Sequence, residues 1–229
     1  MKLLAFETAT EGCSVALWLD GEVRERFEVA PRRHAELALP WATALLAEAG
    51  IGRSQLDAIA VSRGPGAFTG VRLGVALAQG IALALERPVV AVSTLMALAA
   101  PVAGLRVLAA IDARMGEVYL GAFHREGDLL VALQPEAVAA PDGAALPDGD
   151  GWHGAGTGFD ALGGALRTRM GGRLASVDAG ALPHAADVAR LAAPMLARGE
   201  AVAPERLEPA YLRDNVALTL AEQRARKTP

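Results

Sequence analysis

The sequence predicts an α/β protein made of two lobes of similar topology, each a mixed sheet flanked by helices. Three observations predict it. The order strand, acid, glycine-containing turn, strand, turn, strand occurs twice, beginning at Lys2–Glu7 and again, about a hundred residues on, at Arg106–Asp112. Between and after these blocks, short β-branched or apolar runs alternate with helical patterns, as a layered α/β chain requires. At 229 residues the chain is long enough for two small lobes with their own cores. The predicted division is 1–103 for the first lobe, 104–215 for a partly degenerate second lobe and 216–229 for a mobile or helical tail.

The first lobe opens on a buried strand, Lys2–Glu7, a polar turn, and a second strand, Cys13–Leu19. Asp20-Gly21 is a hairpin signal, because both residues tolerate positive φ, and Glu22–Val29 alternates as a more exposed third strand. A helix over His34–Glu48 follows, with Leu37, Ala38, Trp41, Ala42, Leu45 and Leu46 on its apolar face. Pro40 should kink or break it near its first turns, and Gly50 and Gly52 should end it. Ala58–Val61 is a short apolar strand. Gly64-Pro65-Gly66 is a tight turn, and Thr69–Leu85 a long helix. Pro88–Val92 reads as a strand and Ser93–Ala100 as a helical segment cut by Pro101.

The second lobe repeats the meander with Arg106–Asp112, Gly116–His124 and Asp128–Gln134, the last two joined by Glu126-Gly127. Ala140–Gly151 is a Pro, Gly and Asp loop. Trp152–Gly158 reads as a glycine-rich turn placed where the first lobe has Gly64-Pro65-Gly66, and Phe159–Met170 as the helix after it. His184–Arg198 is amphipathic, with Val188, Leu191, Ala192 and Met195 inward. In Leu207–Asn215, Tyr211 and Leu212 are expected anchors, and Val216–Pro229 a weakly helical tail.

The long helix after the first glycine turn has too little polar surface. Arg72, Gln79 and Glu86 recur every seven residues and share one narrow stripe, while Gly70, Gly74, Ala78 and Ala82 form a smooth ridge at i, i+4 spacing. Such a helix is buried on more than one side, and the ridge is expected to meet a further helix from this chain or another.

Composition narrows the function. Hydrophobic content is 52% with 4% aromatic, so the core is mainly Ala, Leu and Val. A net charge of −4 argues against a broad nucleic-acid face, and Arg24, Arg26, Arg32 and Arg33 read as solvated charges rather than a basic patch. Cys13 is the single cysteine, which excludes an internal disulfide and points to a cytoplasmic setting. No signal peptide is expected, because Glu7 interrupts the N-terminal apolar run, and no membrane span, because Gln79 and glycines interrupt Leu73–Leu85.

The paired meanders resemble the actin, sugar-kinase and heat-shock-protein ATPase architecture, which implies an actin-like duplicated two-lobe fold. In it, the first turn of each lobe holds phosphate and metal. Here those turns are Glu7–Gly12 and Asp112–Gly116, with two carboxylates in one and Arg114 and Met115 in the other. Both are poor ATP clamps. An anion or nucleotide contact at Glu7, Thr8, Gly64, Gly66 and Thr69 remains open beside a purely structural turn, since free N–H groups at a helix start attract anions. No Lys-Ser/Thr follows the glycines, so this is not a Walker motif. His153 in Trp152–Gly158 has no Cys or second His beside it and reads as structural, and the four histidines are scattered. No nucleophile elbow surrounds Ser62, Ser93 or Cys13.

Four segments carry a closer resemblance: Phe6–Thr10, Arg63–Gly74, Val92–Met96 and Pro209–Asp214. Together they resemble the bacterial TsaB family, also called YeaZ, densely over the first hundred residues or so and thinly from Pro135 to Gly180. The resemblance implies a role in tRNA modification, in which threonylcarbamoyl is moved from its adenylate to the adenosine beside the anticodon. It implies a metal-binding catalytic paralogue, TsaD, an ATPase, TsaE, and a homodimer of the chain when TsaD is absent. tRNA would then be met indirectly, through the complex. The TsaD metal histidines would fall at Thr94 and Leu98, and a leucine binds no cation, so this chain is expected to lack the catalytic centre. It needs no cofactor of its own, with ATP or ADP held at an interface with partners. The expected partner contact is Phe68, Val71, Arg72, Val75 and Gln79 of the long helix, with Leu37, Trp41 and Leu45 of the helix before it. An ATPase or small-molecule kinase of the same fold is the alternative, and a peptidase a weaker one.

Overall fold

Leu3, Leu4, Ala5 and Phe6 leave no face of their strand to water, and a strand buried on both faces belongs at the centre of a sheet. In the computed structural model, which describes residues 1–213, this strand, β1 (Lys2–Glu7), is central. It pairs antiparallel with β2 (Gly12–Leu19), which pairs with β3 (Glu22–Val29), so the predicted meander forms. The hairpin turn is Asp20-Gly21, both at positive φ. On its other side β1 pairs parallel with β4 (Ala58–Ser62), and β4 with β5 (Val89–Val92), giving the order β3-β2-β1-β4-β5.

Strand alternation sends Leu4 and Phe6 to one face, against α1 (His34–Glu48) and α2 (Phe68–Leu85). α1 passes through Pro40 without a break. Pro40 and Glu36, whose carbonyl loses its partner, are both exposed, so the missing bond falls on the solvent side of the helix. Leu3 and Ala5 point the other way, towards α3 (Thr94–Ala99) and a helix from the far end of the chain.

The second sheet contains β6 (Arg106–Arg114), β7 (Glu117–Glu126), β8 (Leu129–Ala132), β9 (Ala137–Ala139), β10 (Trp152–Ala155) and β11 (Leu174–Asp178). Its order is β11-β10-β6-β7-β8, with β9 also on β7. β10 lies parallel to β6 as β4 does to β1, so the two sheets share one plan, as the repeat predicts. Two details differ from the sequence reading. Trp152–Ala155 is a strand, and only Gly156–Gly158 forms the turn. The helix expected over Phe159–Met170 is reduced to 3₁₀ turns and the six-residue α4 (Ala165–Met170), because Leu162, Gly163 and Gly164 all adopt positive φ. The loop before β10 is pinned through its carbonyls: Arg169 donates to Pro141 and Ala144, Arg173 to Pro147, and Arg106 to Asp150.

α5 (Ala185–Ala197) packs on the first sheet, not the second. Its Ala185, Ala189 and Ala192 meet Ala5, Ala16, Ala58 and Ala60, and these small side chains seat the helix close to the strands. Val188 and Ala192 are buried as predicted, with Leu191 and Met195 packed beside them. The chain then crosses α2: Val202 bridges to Val89, Leu207 enters the core, the Ala210 amide donates to Arg63 O, and Arg213 reaches Glu117 and Ala113 O in the second lobe. The tail expected over Val216–Pro229, and residues 214 and 215, lie outside the described residues.

The ridge Gly70, Gly74, Ala78, Ala82 is buried within this chain: Gly70 and Gly74 lie on Thr8 and Val61, and Ala78 and Ala82 share a core with the sheet and α1. A Cβ at Gly70 would overlap the Thr8 carbonyl oxygen, whereas one at Gly80 meets nothing within 4 Å. Gly70→Ala is therefore expected to cost about 1–3 kcal/mol in chemical denaturation. Gly80→Ala should raise stability by up to about 1 kcal/mol, from helix propensity alone.

Candidate functional site

The residues singled out around the two glycine turns do come together. Glu7 ends β1 and is fully buried. Its Oε1 accepts from the Ala9 amide at 2.6 Å, which tightens the turn after β1. Thr8 Oγ1 donates to Gly70 O at 2.8 Å, and the Ala67 amide donates to Ala9 O at 2.7 Å. Gly64, at φ 98°, accepts from the Thr94 amide. Thr69 lies exposed on the first turn of α2. A Cβ at Gly66 would overlap Ala9 O, and one at Gly70 would overlap Thr8 O, so glycine at both positions lets the two turns pack backbone to backbone. The second lobe repeats the device: Cβ atoms at Gly156 and Gly158 would overlap the Ala110 backbone, and the Asp112 amide donates to Thr157 Oγ1 at 3.1 Å.

Burial pushes the Glu7 carboxyl up to about 7, against the smaller opposing pulls of the Ser62 hydroxyl, the Ala9 amide and His184. Ser62 stands near enough to favour the ionised form, yet Glu7 Oε2 and Ser62 Oγ do not reach hydrogen-bond geometry and both are buried without a partner. His184 lies at the start of α5, stacked on Phe27 with ring centroids 4.1 Å apart, and its Nδ1 meets Glu25 Oε2 at 3.0 Å. Glu25 Oε1 also accepts from the Ala186 amide, and Ser14 Oγ accepts from the Ala185 amide, so two side chains of the first sheet cap α5. The hydrogen bond that His184 donates to Glu25 raises the His184 titration, and burial raises Asp187, which is paired with Arg190 at 2.7 Å.

Thr94 and Leu98 are buried on α3. Among the described residues no group of three or more His, Cys, Asp or Glu is placed to hold a metal ion. His34 Nε2 contacts Thr10 O and Gly12 O, and His153 Nδ1 contacts Ser176 Oγ at 2.8 Å; both hold local structure.

The expected partner contact divides in two. Leu45, Val71 and Val75 are core residues, at most 5% exposed, so they are not available to a partner. Val75 from α2 and Leu45 from α1 join the core cluster that covers β1 and β4. Leu37 and Trp41 are half-buried. Gln79 is half-buried, donating to Pro204 O and Leu207 O at 3.1 and 3.0 Å. Phe68 is 65% exposed, and the exposed Arg72 lies over its ring, 3.2 Å from the centroid, while donating from Nε to Tyr211 at 3.0 Å. The open face of α2 contains residues the sequence reading did not name: Ala76, Gly80, Leu83 and Ala84. With Arg72, the small residues Ala76, Gly80 and Ala84 form a second i, i+4 ridge, two residues round from the buried one. α2 has a mean hydropathy of 1.6 over 18 residues, which passes for a membrane span by length and composition. One flank lies in the fold and the other is this open ridge.

A family model described as TsaD, tRNA N6-adenosine threonylcarbamoyltransferase, matches residues 27–220. The chain is 44% identical over 230 residues to the tRNA threonylcarbamoyladenosine biosynthesis protein TsaB of Escherichia coli K12, covering 95% of this chain and 96% of that protein. It is 47% identical over 130 residues to the protein of the same name from Haemophilus influenzae, covering 55% of each. Among solved structures it is similar to YeaZ from Pseudomonas aeruginosa, with a TM-score of 0.86 and 47% identity over 92% of this chain and 99% of that one.

Because Glu25 holds the His184 proton, Glu25→Gln should move the His184 titration to lower pH in an NMR titration. The raised folded-state value means that His184 contributes stability below its unfolded value, lost as pH rises through the folded one. The thermal midpoint of wild type should therefore fall across that window more than that of Glu25→Gln.

Proposed function

The chain belongs to the TsaB family, and from that premise we propose that it is the non-catalytic partner subunit with which a TsaD-type transferase forms threonylcarbamoyladenosine beside the tRNA anticodon. One observation carries the reading: α2 keeps a smooth row of small residues, Ala76, Gly80 and Ala84, open to solvent. A long apolar helix with one flank in its own core and a smooth flank exposed is suited to close packing against a partner.

The contact we propose is Phe68, Arg72, Ala76, Gly80, Leu83 and Ala84. Small residues let a second helix approach closely, and the flanking Phe68 and Leu83 supply the apolar area. The TsaD-type subunit is the partner assigned to this face. Without it, the same ridge pairs with a second copy of the chain. A TsaE-type ATPase completes the assembly, and any ATP or ADP it uses sits at a boundary between subunits. tRNA is met through the partner, in keeping with the net charge of −4, and the assembly works in the cytoplasm.

The test is reconstituted modification of tRNA with TsaD- and TsaE-type proteins, with and without this chain. Product should depend on the chain, and the chain alone should make none. Gly80→Arg should lower product formation by about tenfold or more with a thermal midpoint no lower than wild type, because among the described residues a side chain at Gly80 meets nothing within 4 Å of its Cβ and arginine favours a helix over glycine. Val75→Arg should instead lose the fold. Full activity from Gly80→Arg would overturn the interface, and ATP turnover by the isolated chain that Glu7→Ala abolishes would favour the kinase alternative.

A further inference from the structure

α2 carries one charged residue, Arg72, at the head of its open ridge. Neighbours fix its guanidinium on two sides. One face lies over the Phe68 ring, with Cζ 3.2 Å from the centroid. Nε donates to the Tyr211 hydroxyl at 3.0 Å, and Cζ stands 5.3 Å from the centre of that ring. Tyr211 is itself pinned from both sides: the Ala210 amide donates to Arg63 O at 2.7 Å, and Arg213 donates to Ala113 O and Glu117. The outer edge of the guanidinium, Nη1 and Nη2, has no hydrogen-bond partner and no paired carboxylate among the described residues.

That edge is a fork of donors, and its planar complement is a carboxylate or a phosphate. The position of Arg72 chooses between them. It heads the row Ala76, Gly80, Ala84 at i, i+4 spacing, so a helix laid on those small residues runs past it. Docking then takes water from the only charge on α2, and a cation shut away unpaired opposes association. An acidic side chain on the docking helix removes that cost and adds a directed pair. A nucleic-acid phosphate needs a wider basic field, and the arginines nearby are engaged: Arg114 with Asp112, Arg213 with Glu117, and Arg63 in its pull on the Glu136 carboxyl.

We propose that Arg72, held by Phe68 and Tyr211, is the socket for an Asp or Glu side chain on the partner helix that packs along the α2 ridge. The proposal rests on the partner reading above and adds the chemistry of the contact. Arg72 touches the partner's carboxylate. Tyr211, from the far end of the chain, is a positioning residue that turns the fork outward.

Two measurements on the full-length chain with a TsaD-type protein test it. The first is affinity by calorimetry. Arg72→Gln should weaken binding by about tenfold or more and flatten its dependence on salt. Arg72→Lys keeps the charge without the fork and should recover only part of the loss. Tyr211→Phe keeps the ring but not the acceptor for Nε, and should weaken binding less than Arg72→Gln at an unchanged thermal midpoint. The second is zero-length cross-linking. The amine introduced by Arg72→Lys, treated with a carbodiimide in the complex, should form an amide with one Asp or Glu of the partner, located by peptide mapping. The native lysines, Lys2 and Lys227, give separate peptides. Wild-type affinity in Gly80→Arg would overturn the partner reading and the socket with it. Loss of binding in Gly80→Arg with full, salt-dependent binding in Arg72→Gln would overturn the socket alone, as would the absence of any link from position 72 to the partner. Binding of tRNA to the isolated chain that Arg72→Gln abolishes, at unchanged affinity for the partner, would give the fork to phosphate and overturn it too.

Discussion

The structure depends on one close approach: the backbone of Thr8 and Ala9 lies directly on the first turns of α2, with Gly66 and Gly70 in place of side chains. Two hydrogen bonds fix it, Thr8 Oγ1 to Gly70 O and the Ala67 amide to Ala9 O. No other residue type fits there, because a Cβ at either glycine would coincide with a carbonyl oxygen. This contact positions α2 against β1 and β4, buries one flank of the helix and leaves the other facing out. The placing of both glycine turns and the orientation of the helix face are thus two results of the same packing.

The second lobe shows that the close approach is a property of the plan. Gly156 and Gly158 meet the Ala110 backbone as Gly66 and Gly70 meet Thr8 and Ala9. There the following helix is reduced to α4 and presents no comparable open ridge. The lobes are tied by elements that cross between them. α5 returns to the first sheet, where Glu25 and Ser14 cap it, and Arg213 joins the final described segment to the β6–β7 turn. α2 is therefore fixed at its start by Ala9 and along its flank by Leu207 and by the Gln79 contacts to residues 204 and 207.

Much of the fold was legible in the sequence, because its signals are local. Asp20-Gly21 specifies a hairpin, the β-branched runs specify strands, and the repeat of the meander specifies two sheets of one plan. The degenerate region between Phe159 and Met170 was not legible, since consecutive positive-φ residues outweigh an apolar pattern that looks helical. The candidate site was half legible. Composition shows that α2 is apolar on both flanks, and the structure buries one of them and leaves the other exposed. Composition alone does not show which of two small-residue ridges faces the sheet. Gly70-Gly74-Ala78-Ala82 and Arg72-Ala76-Gly80-Ala84 have the same spacing, and only the position of Thr8 decides between them. The same ambiguity put Val71 and Val75 on the wrong face. Glu7 was noticed as a carboxylate in a turn, but its burial depends on α5, which arrives from some 180 residues away and leaves no trace near Glu7 in the sequence.

The central claim is that α2 serves two masters, its own sheet on one flank and a second helix on the other. Cysteine accessibility tests it directly, because the native Cys13 is buried and gives little background. A cysteine introduced as Gly80→Cys should react readily with a maleimide in dilute chain and slow by about tenfold or more when a TsaD-type partner is added in excess. One introduced as Ala78→Cys should stay protected in both conditions. A Gly80→Cys rate that neither partner nor excess chain changes, or an Ala78→Cys that reacts as freely, would contradict the account.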